Sequence, residues 1–128
     1  MERGDKMPWN LTSDRPIFSQ IMDIIFQNII SGKYAPGEKL PSVRDLAAQA
    51  AVNPNTMQKA LSELEKTGVV FAKRTSGRYI TEDTAMIQEL KSHMALEKIQ
   101  EFLKSMENLG ISNEETAVLL TEILEGEK

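Results

Sequence analysis

Cysteine is absent from the 128-residue sequence. That removes a disulfide framework, a thiolate metal site and a cysteine nucleophile together, and it fits a reducing compartment. Long apolar runs are absent too, none approaching the roughly 20 residues that span a bilayer. The opening MERGDKMPWN carries charge with no apolar segment behind it, so it does not read as a secretory signal. A cytoplasmic protein with no membrane partner is expected. There is no glycine-rich phosphate loop, which argues against nucleotide hydrolysis. The pairs Glu63/Glu65 and Glu114/Glu115 stand with no nucleophile or apolar pocket beside them, and read as solvated helix faces rather than acid–base dyads. The single histidine, His93, has Glu89 and Glu97 four residues to either side. One imidazole of this kind is a solvated or dimer-facing side chain before it is a metal ligand. No catalytic residue, metal or cofactor is expected, and the chain does not read as an enzyme.

What is present is ordinary globular material. Hydrophobic residues make up 41% and charged residues 27%, enough for a packed core. The length suits one domain, or a small domain with an appendage. Net charge is −4, but unevenly spread: eleven basic against eight acidic residues over 1–80, four against eleven over 81–128. An acidic tail repels phosphate, so any nucleic acid must meet the front part.

Hydrophobic periodicity places the elements. Ile17, Phe18, Ile21, Met22, Ile24, Ile25 and Ile29 repeat at helical spacing after the turn Asp14-Arg15-Pro16, and Gly32 ends that helix. Residues 33–39 read as a turn broken by Pro36-Gly37. Ser42 with Asp45 reads as a capping box opening a short helix, with Val43, Leu46, Ala47 and Ala50 inward. Asn53 caps a third helix with Pro54 at its first position, carrying Met57, Ala60, Leu61 and Leu64 inward until Gly68. Val69–Ala72 and Arg78–Thr81 read as two strands of a hairpin. From about Asp83 a long helix runs to Leu109, Gly110 breaks it, and a Ser112/Glu115 capping box opens a last helix.

Two helices joined tightly at Ala51-Val52-Asn53 make a helix-turn-helix arrangement, with Ala47, Ala48, Ala50 and Ala51 small enough for close approach. The second of them presents Asn55, Thr56, Gln58 and Lys59 near its N-terminus, short polar groups suited to base edges in a major groove. The hairpin that follows puts Lys73, Arg74 and Arg78 around Thr75-Ser76-Gly77, with nothing acidic from Ala72 to Thr81. A cationic hairpin directly after a recognition helix is the wing of a winged helix, reaching backbone or minor groove. The competing reading of the same residues is a solvated charged face. The competing function is a winged helix used for protein–protein contact, which calls for aromatic or large apolar anchors on the recognition helix. Trp9 and Leu11 read as packing on the winged helix.

The stretches Leu40-Pro41-Ser42-Val43-Arg44-Asp45-Leu46-Ala47, Val52-Asn53-Pro54-Asn55-Thr56 and Leu61-Ser62-Glu63-Leu64-Glu65-Lys66-Thr67-Gly68 resemble the GntR family of bacterial transcription regulators. Asp14-Arg15-Pro16-Ile17, Gln20-Ile21 and Pro36-Gly37-Glu38-Lys39-Leu40 fit as well, so the likeness covers about residues 9–81. The short two-helix tail resembles the YtrA subfamily. The resemblance implies a homodimeric winged-helix repressor on an inverted repeat of double-stranded DNA. It places DNA contacts on Arg44, on Asn53, Asn55 and Thr56, and on Arg74, Thr75 and Gly77 of the wing. This chain departs from many members at Pro54 and Gln58, where they carry arginines.

The expected fold class is therefore mainly α with a small β-hairpin: a winged helix-turn-helix over 9–81, then a two-helix dimerisation tail over 82–128. On the tail, Ile87, Leu90, Met94, Ile99, Phe102, Met106 and Leu109 form more apolar surface than one short helix can cover. Ala117, Leu120 and Leu124 are expected to cover part of it, and a second protomer the rest by an isologous contact. The alternative is that both tail helices fold back on their own winged helix. A small-molecule effector is left open. Its pocket, if the protein has one, lies between helices or at the dimer interface.

Overall fold

The computed structural model describes residues 9–126. Its order is α1 (Ile17–Ile30), α2 (Val43–Ala50), α3 (Pro54–Thr67), β1 (Val70–Lys73), β2 (Gly77–Ile80), α4 (Thr84–Asn108) and α5 (Asn113–Gly126). The mainly helical class with one hairpin is the one the sequence calls for. Two compact units divide it, one ending at Leu90 and one starting at Lys91.

In the first unit the apolar stripes of three helices and the hairpin meet in one core. Ile21, Ile25 and Ile29 come from α1, Leu46, Ala47 and Ala50 from α2, Met57, Ala60, Leu61 and Leu64 from α3, and Val70 and Ile80 from the strands. Trp9 packs against the same core. Gln20 is buried as well, a polar group whose position on the α1 stripe the periodicity does not flag. Its amide nitrogen donates to the Thr12 and Arg15 carbonyls at 2.8 and 2.9 Å, and its oxygen accepts from the Thr12 N–H at 2.8 Å. A buried amide so satisfied costs little and ties the preceding segment to α1.

Capping explains the helix ends. Ser42 Oγ accepts the Asp45 N–H at 3.1 Å and starts α2. Ala51 closes it at φ 60°, ψ 47°, the left-handed region. Asn53 Oδ1 accepts the Asn55 N–H at 2.7 Å and starts α3, which ends at Gly68 with φ 89°. Of the four alanines between the helices, only Ala47 and Ala50 are buried. Ala48 and Ala51 are exposed: the helical period of 3.6 turns Ala48 away from the face that carries the other two, and the left-handed conformation of Ala51 takes it out of the helix.

The hairpin pairs Val70 with Ile80, Phe71 with Tyr79, Ala72 with Arg78 and Lys73 with Gly77, antiparallel. The connection before α2, expected as a turn throughout, is partly a strand-like edge. Ile80 N–H donates to the Glu38 carbonyl at 2.9 Å and Leu40 N–H to the Arg78 carbonyl at 2.8 Å. Pro41 favours extended backbone at the residue before it, which aligns Leu40 with β2.

The first turns of α4 belong to the winged helix rather than to the tail. Asp83 Oδ1 caps the helix by accepting the Met86 N–H at 3.1 Å. Met86, Ile87 and Leu90 then pack against the core, which is why the compact unit reaches Leu90 instead of stopping at Thr81. Ile87 and Leu90, expected at a dimer contact, thus already have apolar partners in their own chain.

The second unit holds the rest of α4 and α5. Its capping box is reciprocal: Glu115 N–H donates to Ser112 Oγ and Ser112 N–H to Glu115 Oε1, both at 3.1 Å. Thr116 is the buried residue of α5, its hydroxyl donating to the Ser112 carbonyl at 2.9 Å. Ile99, Phe102 and Leu109 stay exposed, and so do Ala117, Leu120 and Leu124. The three α5 residues expected to cover part of the α4 stripe thus remain open to solvent themselves. Leu96, Val118, Leu119 and Ile123 enlarge the exposed apolar surface further. Met94 and Met106 are half-buried.

Candidate nucleic-acid interface

The start of α3 presents Asn53, Asn55, Gln58 and Lys59 to solvent, with Thr56 half-buried. Asn53 spends its side-chain oxygen on the cap, which fixes the first turn and orients the polar groups behind it. Lys59 leans on α1, its Nζ 4.2 Å from the centre of the Phe18 ring. Such a contact holds the ammonium in place without neutralising it. Arg44 follows the Ser42 cap on α2, exposed, with no side-chain partner among the described residues.

The wing turn places Arg74, Thr75 and Ser76 at its tip, all exposed, with Ser76 N–H donating to the Lys73 carbonyl at 3.2 Å. Gly77 has φ +114°, a backbone conformation that side-chain-bearing residues rarely adopt, and a Cβ there would sit 3.1 Å from the Cε of the flexible Lys39 side chain, so it is the backbone that calls for glycine. Strand alternation sorts the cations. Lys73 stands with Phe71 and Tyr79 on one side, its Nζ 4.4 Å from the Tyr79 ring centre, while Phe71 and Tyr79 stack at 6.0 Å. Tyr79 Oη donates to Ser76 Oγ at 3.0 Å and braces the turn. Arg74 has no side-chain partner among the described residues. Arg78 is different: it points to the body and pairs with Glu65 of α3.

Between the N-terminal turn of α2 and the wing turn lies an open cleft of about 620 Å³, lined by Lys39, Ser42, Asp45, Ser76, Gly77 and Arg78 with apolar Leu40, Pro41 and Val43. The fold thus brings two separate sequence stretches, 39–45 and 76–78, face to face. Lys39 was invisible as a wing neighbour in the sequence. What puts it there is its bridge to Tyr79, a pairing that no local pattern announces. Elsewhere His93 Nε2 lies 3.2 Å from Glu97 on an exposed helix face, and no cluster of metal-ligating side chains occurs among the described residues. Among those residues, too, no helix is long and apolar enough to cross a membrane.

Comparison with known proteins bears on the same segment. The profile of bacterial regulatory proteins of the gntR family matches residues 18–80. The HTH-type transcriptional regulator YhcF of Bacillus subtilis (strain 168) is 43% identical over 103 residues, 80% of this chain and 85% of its own. The chain belongs to the GntR family. Another GntR relative, the HTH-type transcriptional repressor YtrA of the same organism, is 35% identical over 87% of this chain and 86% of its own. A solved GntR family transcriptional regulator from Listeria monocytogenes superposes with a TM-score of 0.80 at 37% identity, covering 88% of this chain and 98% of that one. A crystal structure of AraR(DBD) in complex with operator ORE1 superposes with a TM-score of 0.51 at 27% identity, covering 56% of this chain and 90% of that one. This GntR protein is a helix-turn-helix transcriptional regulator whose winged helix has the family's architecture.

Proposed function

We propose that this protein represses transcription by binding an inverted-repeat operator as a homodimer, and that its function is binding rather than catalysis. In this reading α3 enters the major groove and the wing follows the adjacent backbone or minor groove. The observation that carries it is the state of Arg44 and Arg74. Both are exposed and lack a protein partner among the described residues, on the two elements that frame the cleft. Two such cations suit phosphates, while Asn55 and Gln58 at the exposed start of α3 suit base edges. The relative AraR(DBD), solved with its operator, lends support to the same use of the fold here. Lys59, Lys73, Thr56, Thr75 and Gly77 assist by charge, hydroxyl groups or close backbone approach, and Asn53 by setting the helix start.

A docking role for α3 fits poorly, because its exposed N-terminal side chains are polar and offer no aromatic or large apolar anchor. The DNA-binding part is taken to extend through Leu90, with the remainder of α4 and α5 serving dimerisation. The name of YtrA supports the repressor reading. The experiment is an in vitro selection from random duplexes with the full chain, followed by footprinting of the winners. A recovered pair of half-sites related by a dyad is the expected result. Enrichment of no duplex, or of single half-sites alone, would sink it.

A further inference from the structure

Of the three wing cations, Arg78 alone is committed inward. The hairpin register gives the reason. Val70 and Ile80 are paired and buried, so that face of the ribbon looks at the core. Side chains alternate along a strand, so Arg78, two residues from Ile80, shares its face, while Tyr79 takes the other. There the Arg78 guanidinium donates from Nε to Glu65 Oε2 in the C-terminal half of α3. The two side chains are only 19% and 32% exposed, so the pair is more than an incidental surface contact.

The covalent link between these elements is short: only Gly68 and Val69 separate the end of α3 from β1. Gly68 sits at φ 89°, where glycine turns freely. We infer that Arg78 and Glu65 form a clasp that sets the angle of the wing to the recognition helix, so that Arg78 is a positioning residue and not a phosphate ligand. The inference rests on the DNA-binding reading above. It makes Glu65 matter to DNA binding although its charge has the wrong sign for touching DNA.

That sign provides the test. A carboxylate near a phosphate backbone repels it, so removing a bystander Glu65 leaves affinity unchanged or raises it. Removing one half of a clasp lowers it. The full chain is measured on a duplex recovered by selection, across a salt series, with thermal unfolding alongside. Glu65→Gln and Arg78→Gln are each expected to weaken binding about three- to tenfold, with the salt slope unchanged. Arg78→Glu is expected to bind poorly, and the double reversal Glu65→Arg/Arg78→Glu to recover most of that loss. The inference is overturned if Glu65→Gln binds as tightly as the parent, if Arg78→Gln lowers the salt slope by about one unit as a lost phosphate contact does, or if the double reversal binds no better than Arg78→Glu. Where single variants unfold early, the double reversal keeps the pair and decides the matter. A parent chain that enriches no duplex overturns the DNA reading itself, an outcome distinct from a parent that binds and variants that fail to behave as a clasp.

Discussion

Basic side chains surround the start of α3 and the wing, and the surroundings of five of them set them apart. Lys59 and Lys73 lie over aromatic rings, Arg78 is paired, and Arg44 and Arg74 have no partner among the described residues. Each arginine that releases a counterion from DNA contributes about one unit to the salt slope. Arg44→Ala and Arg74→Ala should therefore each weaken binding to every sequence and flatten the slope by about one unit, read by fluorescence anisotropy between about 50 and 200 mM salt. Unchanged slopes in both variants would clear this face of DNA. A second residue-scale expectation concerns pH. Burial of Tyr34 holds its hydroxyl above the usual tyrosine range, and the Glu38 carboxylate adds to this, while a hydrogen bond with Asn28 opposes it. The folded state binds that proton more tightly than the unfolded one. The stability it represents is thus complete below about pH 10 and is lost as pH rises through the raised value. Tyr34→Phe keeps the ring buried and removes the titration, so urea midpoints of parent and variant should diverge above about pH 10, with the variant losing less. A constant difference from pH 8 to 11 would contradict it.

At the scale of elements, helix starts were legible because their chemistry is local. Ser42, Asn53 and Ser112 each cap the helix that the sequence assigns to them. The fate of Arg78 was legible in principle from strand alternation against the apolar Ile80, yet composition alone grouped it with Arg74. The pairing of Glu38 and Leu40 with β2 was not legible, since it joins residues some forty apart with no hydrophobic alternation to mark it. Nor does any local pattern say that α5 leaves Leu120 and Leu124 uncovered, because a helical stripe declares that a face wants a partner and not which one. The turn between α2 and α3 offers a test of backbone strain. Ala51 is exposed and holds a left-handed conformation with no glycine to ease it. A Cβ in that region costs about 1–2 kcal/mol, against roughly 0.5–1 kcal/mol of extra chain entropy for glycine. Ala51→Gly should thus raise the thermal midpoint by a few degrees without altering the DNA site. A lowered midpoint would show that the turn is not strained.

At the scale of the whole molecule the dimer proposal rests on apolar area without an owner. Ile99, Leu109 and Leu124 are 53%, 72% and 65% exposed, and Leu96, Val118 and Ile123 join them. Surface of this kind marks an association site. A second copy is the occupant proposed, since two winged helices read two half-sites about one helical turn apart. Ending the chain after Leu90 keeps Met86, Ile87 and Leu90 on their core and removes the rest. The truncated protein should sediment as a folded monomer and lose most of its operator affinity, while the full chain sediments as a dimer at micromolar concentration. A dimeric truncation, or a monomeric full chain, would assign the tail some other purpose.

The strand β2 has backbone partners on both flanks, β1 on one and the 38–40 segment on the other. A ribbon held along one edge only can fan through many orientations, and a ligand must freeze them out one by one. One held along both edges arrives with its orientations already narrowed, so less conformational entropy is surrendered when the wing meets its target. The amides of Ile80 and Leu40, which donate across the two sides of that seam, should then exchange with deuterium at rates close to those of the α3 core in the free protein. They should slow only slightly further when DNA is added; fast exchange that collapses on binding would mean the ordering happens at the DNA instead.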